Sequence, residues 1–104
     1  MKVEIQGQGR VIAHYGEDAQ ALVHMEECAE LIQAISKMQR IRKECLAGED
    51  IDDSDAYSNL VEEMADVLIC MEQLKEIYCI SDSELRMMVD KKTVRQEARM
   101  YGHA

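Results

Sequence analysis

Apolar residues recur along the chain at helical spacing. At about 100° per residue, Val23, Cys28, Leu31, Ile32, Ala34, Ile35, Met38 and Ile41 fall on one arc, which predicts a long helix from about Asp18 to Cys45. Leu60, Val61, Met64, Val67, Leu68, Cys70, Met71 and Leu74 form a second arc and predict a helix from about Ala56 to Cys79. Glu17 and Asp18 at the start of the first helix, and Lys37, Arg40, Arg42 and Lys43 towards its end, suit the helix dipole. Residues 47–55 break the pattern with an acidic loop, in which Gly48 suits a helix C-terminus and Ser54 or Asp55 an N-cap. Ser81 with Glu84 three residues on is a capping box that opens a third helix to about Met100, with Leu85, Met88 and Val89 on its packing side. Residues 1–16 alternate only weakly and read as an irregular or short-strand lead-in. The expected fold is therefore all-α. One domain over residues 1–104 holds a helical bundle of two long antiparallel helices and a shorter C-terminal helix, completed by oligomerisation as a homodimer or homotetramer.

Composition supports helices and narrows the partners. The chain has no Pro, Trp or Phe but eight Met, a mixture suited to helix-on-helix packing. Its formal net charge of −9 argues against broad nucleic-acid or anionic-membrane binding, since both require cationic surface. Cys28, Cys45, Cys70 and Cys79 contain no CxxC pair and read as reduced core thiols. No apolar run resembles a signal peptide or is long enough to span a membrane, so the expectation is a cytoplasmic protein.

The candidate chemistry lies where the pattern is interrupted. Glu26-Glu27-Cys28-Ala29-Glu30 on the first helix is echoed by Glu62-Glu63-Met64-Ala65-Asp66 on the second. Residues three apart are neighbours on a helix, so Glu27 with Glu30, and Glu63 with Asp66, are close carboxylate pairs. On the wheel Glu27 falls inside the apolar arc, between Ala34 and Met38, and Glu63 occupies the matching place on the second helix. Glu30 and Asp66 lie at the margins, with Glu26 and Glu62 outside as surface acids that assist the inner ones. A carboxylate aimed at a core is costly unless it is paired or binds a cation, so Glu27, Glu30, Glu63 and Asp66 are the candidate metal ligands.

Four carboxylates are hard donors and suit Mg²⁺, with Mn²⁺ as the other possibility, better than zinc or copper. Di-iron bundles need Glu-x-x-His on two helices, whereas His24 and Glu27 occur once and in the reverse order, so His24 reads as a surface or supporting residue. The acidic loop lacks the alternation and closing glutamate of an EF-hand. There is no GxxxxGK[ST] loop, no complete GxGxxG and no GxSxG. In this acidic chain, Lys92, Arg95 and Arg99 form a stripe at i, i+3 and i+7 that suits phosphate, beside Lys91. A carboxylate-bound magnesium with cations opposite is what metal-assisted attack on a phosphate chain requires.

With these residues in view, the chain from about residue 14 to residue 100 resembles the MazG-like nucleotide pyrophosphohydrolases of the all-α NTP pyrophosphatase superfamily, in their short single-domain form. The resemblance rests on Tyr15-Gly16, Gln20, the run from Glu26 to Lys37 and the run from Glu62 to Ile69. It implies Mg²⁺-dependent hydrolysis of a nucleoside triphosphate, (d)NTP, to (d)NMP and pyrophosphate, in the house-cleaning of noncanonical or excess nucleotides. It also implies Glu27, Glu30, Glu63 and Asp66 as metal ligands, with an outer acid orienting water. Lys37, on the wheel sector of Glu30, and less closely Lys92, Arg95 and Arg99, would contact phosphate. The segment between the motifs is somewhat long, enlarged by the acidic loop, which leaves the base open. Tyr15, Tyr57, Tyr78 and Tyr101 are the only aromatic candidates to stack on one and read first as packing residues. The rival expectation is a non-catalytic nucleotide-binding or oligomerisation module on the same scaffold.

Overall fold

The computed structural model describes residues 3–102, which form four helices and, among the described residues, no strand. They are α1 (Gln8–Tyr15), α2 (Glu17–Leu46), α3 (Ser54–Tyr78) and α4 (Asp82–Met100). At 30 residues α2 is about 45 Å long, and α3 returns along it. The antiparallel register is visible in three facing pairs, Gln20 with Gln73, Glu27 with Asp66 and Glu30 with Glu63, whose residue numbers each add to 93. The two long helices therefore lie as the sequence predicts, with ends one or two residues from the expected positions.

Local chemistry accounts for most boundaries. At the end of α2 the Gly48 N–H donates to the Cys45 carbonyl and the Glu49 N–H to the Glu44 carbonyl, with Gly48 at φ 91°, a Schellman closure that favours glycine. The start of α3 differs from expectation. Neither Ser54 nor Asp55 caps it; the Asp52 carboxylate accepts from the Ser54 N–H at 2.9 Å, and Ser54 is already helical. That hydrogen bond holds the Asp52 carboxyl below its ordinary range. Ser81 caps α4 as predicted, its Oγ accepting from the Glu84 N–H at 3.1 Å.

The lead-in is the first correction. Residues 8–15 are helical, whereas residues 1–16 were expected to be irregular or a short strand; Met1 and Lys2 of that segment lie outside the described residues. The physical reason is a tertiary anchor. Gln8 Oε1 accepts a hydrogen bond from Gln73 Nε2 at 2.9 Å, while Val11 and Ile12 turn inward one turn later. Gly7 at φ 78° and Gly16 at φ 92° bound so short a helix on both sides.

Gln73 is the polar centre of this end of the bundle, 3% exposed. Its Oε1 accepts from Gln20 Nε2 at 2.9 Å and lies 2.7 Å from His24 Nε2. An amide oxygen only accepts, so the His24 proton sits on Nε2. Of the two roles expected for His24, surface or supporting, the structure excludes the surface one: His24 is 5% exposed and joins α2 to α3 through Gln73.

The apolar core is thin. Only Ala34, Met38, Ala56 and Cys70 are buried apolar residues among those described. Ile32 and Ile35 of the first arc, and Val61, Met64 and Met71 of the second, remain exposed. The cysteines follow the same division: Cys70 is buried, while Cys28, Cys45 and Cys79 are exposed rather than in the core. The α4 helix also departs from expectation. Among the described residues it packs on none of the other helices, and Leu85, Met88 and Val89, assigned to its packing side, are exposed. Its start is held by Lys75, which pairs with Glu72 at 3.0 Å and also with Asp82. The radius of gyration is accordingly 17.5 Å, against about 13 Å for a compact domain of this length. No helix among the described residues is long and apolar enough to cross a membrane.

Gln73→Ala would strand the donors of Gln20 and His24 and the acceptor of Gln8. The expected loss is about 3 kcal/mol in urea unfolding, with an unchanged slope. A loss below about 1 kcal/mol would mean that this network does not tie the three helices together.

Candidate metal centre

The antiparallel register that pairs Gln20 with Gln73 also sets the two acid motifs against each other. One carboxylate oxygen each from Glu27, Glu63 and Asp66 lie within 4.8 Å of one another. Glu27 arises one helical turn beyond His24, and Glu63 and Asp66 are successive turns of α3. Glu30 is the fourth member. It is more exposed, and its carboxyl is a hydrogen-bond partner and a neighbouring negative charge for Glu63.

Carboxylates crowded in this way resist ionisation. Burial, followed by the charges of Asp66 and Glu30, pushes the Glu27 carboxyl up to about 7. Glu63 is raised as well, first by burial and then by Glu30 and Asp66. Glu27 Oε2 and Glu63 Oε2 are both closed from solvent and have no hydrogen-bond partner. Two buried oxygens without donors, inside a set of three converging carboxylates, fit the needs of a hard divalent cation such as Mg²⁺. A cation would replace the shared protons and satisfy both oxygens. Cys70 lies beside the cluster, but burial and the Glu27 charge push its thiol up to about 11, which keeps it neutral and a poor metal ligand.

The remaining site candidates are spread more widely. Glu26 and Glu62 are exposed on the outer sides of their helices, with Glu62 adding to the negative field at Glu63. Lys37 is exposed seven residues beyond Glu30, about 10 Å along the same side of α2. Lys92, Arg95 and Arg99 are exposed on α4, which within one chain does not pack on the helices that carry the acids. Tyr15, Tyr57, Tyr78 and Tyr101 are likewise exposed and not packing residues of this chain. Gln73 escaped the sequence reading. Its wheel position gave little signal, since Gln73 lies about 60° beyond Cys70 and next to Glu62, whereas Gln20 falls inside the first arc beside Met38.

Comparison of the chain with models of known protein families, with curated proteins and with solved structures gives no match.

The raised Glu27 carboxyl has a defined consequence for stability. Its ordinary value is 4.5 and its folded value about 7, so between these the native state holds a proton that the unfolded chain has lost. The metal-free protein should lose stability as pH rises through that window, and should melt at a higher temperature at pH 5 than at pH 8. Glu27→Gln should flatten that slope and raise Tm at pH 8 without metal. Mg²⁺ should raise Tm of the parent protein at pH 8 and leave that of Glu27→Gln unmoved. Equal Mg²⁺ shifts in the two proteins, measured by differential scanning fluorimetry, would remove Glu27 from the metal centre.

Proposed function

We propose that the chain is a Mg²⁺-dependent nucleoside triphosphate pyrophosphohydrolase, as its resemblance to the MazG-like enzymes implies. The observation that carries this reading is the meeting of two inward acid motifs across one helix seam, with two buried oxygens lacking donors. Glu27, Glu63 and Asp66 hold the metal and Glu30 completes the set. Bound there, magnesium would neutralise phosphate charge and polarise the group under attack. Glu30, the most exposed of the four acids, orients a water and accepts its proton as the α–β phosphoanhydride breaks. The water oxygen ends on the cleaved phosphorus, and the products are a nucleoside monophosphate and pyrophosphate.

Lys37 meets the phosphate tail along the same side of α2. Lys92, Arg95 and Arg99 join the reading only in an assembly that brings an α4 over an acid face. A homodimer or homotetramer belongs to the proposal for this reason and because of the thin core. House-cleaning of noncanonical or surplus nucleotides in the cytoplasm is the role that such a reaction serves.

The direct test incubates the purified protein with a panel of NTPs and dNTPs, with Mg²⁺ or with EDTA, and scores pyrophosphate separately from phosphate. The expected result is monophosphate plus pyrophosphate with metal only, reduced at least about 100-fold in Glu27→Gln and in Glu63→Gln. Thermal shifts from Mg²⁺ and nucleotide without any turnover would sink the enzyme and leave the nucleotide-binding module.

A further inference from the structure

His24 commits only one of its two ring nitrogens. Its Nε2 donates to Gln73 Oε1 at 2.7 Å, while Nδ1 is closed from solvent and has no hydrogen-bond partner, on a residue only 5% exposed. In this tautomer Nδ1 carries a lone pair. A buried acceptor without a donor is costly, so Nδ1 calls for a partner that the described residues do not supply.

The surroundings of that nitrogen indicate what kind of partner. The apolar side of the α2–α3 hairpin carries two grooves. One, of about 530 Å³, is lined by His24, Met25, Cys28, Ile32 and Leu74 among others, and by no carboxylate. The other, of about 470 Å³, is lined by Ile35, Leu46 and Leu60 among others and has neither histidine nor cysteine. The first therefore gathers an imidazole, a thiol and a thioether within apolar walls. With Nε2 held by Gln73, Nδ1 is the nitrogen that His24 can offer to it. Cys28 stands four residues on, the spacing at which two side chains of one helix grip a single ion. Its thiol is free and exposed.

These donors have the marks of a metal site. A histidine that binds metal through one nitrogen has its other N–H held by a carbonyl, a carboxylate or water, and Gln73 Oε1 holds that of His24. The Cys28 thiol is not a hydrogen-bond partner of Nδ1. An ion joining the two in line would span about 4.3 Å, at roughly 2.0 Å from nitrogen and 2.3 Å from sulfur, which is longer than a direct hydrogen bond. The donors also select the ion. Imidazole, thiolate and thioether are soft and suit Cu(I), whereas Zn²⁺ needs three or four nitrogen, thiolate or carboxylate ligands and Mg²⁺ needs oxygen.

We propose that His24 Nδ1 and Cys28 Sγ bind a soft monovalent ion of the Cu(I) class, with the Met25 thioether as a third donor. On binding, Cys28 releases its thiol proton to solvent and coordinates as thiolate, while His24 keeps its Nε2 proton and its bond to Gln73. No electron is transferred. The site is distinct from the acid cluster: Glu27 lies between His24 and Cys28 in sequence but does not line their groove, because it turns to the seam with Glu63 and Asp66. One helix thus presents a hard site and a soft site, and the soft one does not depend on the proposed hydrolysis.

Two measurements on the reduced full chain without oxygen test it. Titration with Cu(I) against the chromophoric chelator bicinchoninate should show one tight site per chain. Cys28→Ser should weaken that site at least about 100-fold, whereas Cys45→Ser/Cys79→Ser should leave it within about 2-fold, and excess Mg²⁺ should not displace the ion. Because replacing His24 also removes the bond to Gln73, its role is read in the parent protein. Ag(I), a soft ion that is not oxidised or reduced here, should shift the His24 Nδ1 resonance in long-range ¹H–¹⁵N spectra and leave Nε2 protonated. An unmoved Nδ1 would overturn the proposal, as would a tight site indifferent to Cys28→Ser. A site lost in Cys45→Ser/Cys79→Ser would be adventitious thiol binding, and one emptied by Mg²⁺ would lie at the acids; either result overturns it as well.

Discussion

Carboxylates held face to face across the α2–α3 seam are the constraint on which the rest of the structure depends. The register that pairs Glu27 with Asp66 and Glu30 with Glu63 is a costly one for a metal-free protein, since it crowds negative charge where water is scarce. It is held in place from one end. Gln73 gathers Gln20, His24 and Gln8 into a network only two turns beyond Asp66; a slip of α3 would break all three contacts and a slip of α2 those of Gln20 and His24. Polar matching at the network thus imposes electrostatic strain at the acids. Crowding of this kind raises the carboxyls of Glu27 and Glu63 together.

The same two helices are short of apolar material to bury. Ala34, Met38, Ala56 and Cys70 are small or flexible side chains, and they fill a narrow seam rather than a layer. The apolar arcs are wider than the seam, so each helix keeps about half of its arc on the surface. Lone exposed apolar residues need no explanation, but grooves aligned along one side of a hairpin do. The bundle has one side that gathers the acids and another, apolar side that no element among the described residues covers.

Much of this could be read from the residues in order. Two helices of the observed length, the capped start of α4 and the glycine closure of α2 each follow from local rules of period, cap and turn. The inward placement of Glu27 and Glu63 also follows from period alone, and these two hold the orphan oxygens. Period could not decide how far an apolar arc would be covered. Cys28, Ile32 and Met64 lie on their arcs as firmly as Ala34 and Cys70 do, yet they stay exposed because no element among the described residues returns over them. The α4 stripe follows the same rule: local pattern places Lys92, Arg95 and Arg99 on one face but does not say which element that face meets, and among the described residues α4 packs on none of the other helices.

Sequence by itself determined the helices, their antiparallel return through a short loop and the identity of the acids, because these depend on period and on side-chain chemistry within a few turns. Tertiary structure alone decided the helical state of residues 8–15, the burial of His24 and the pairing of the two acid motifs residue against residue. Each of these depends on a contact between residues about 30 to 65 positions apart, and the decisive contacts pass through Gln73, whose polarity acquires meaning only when three helices converge on it.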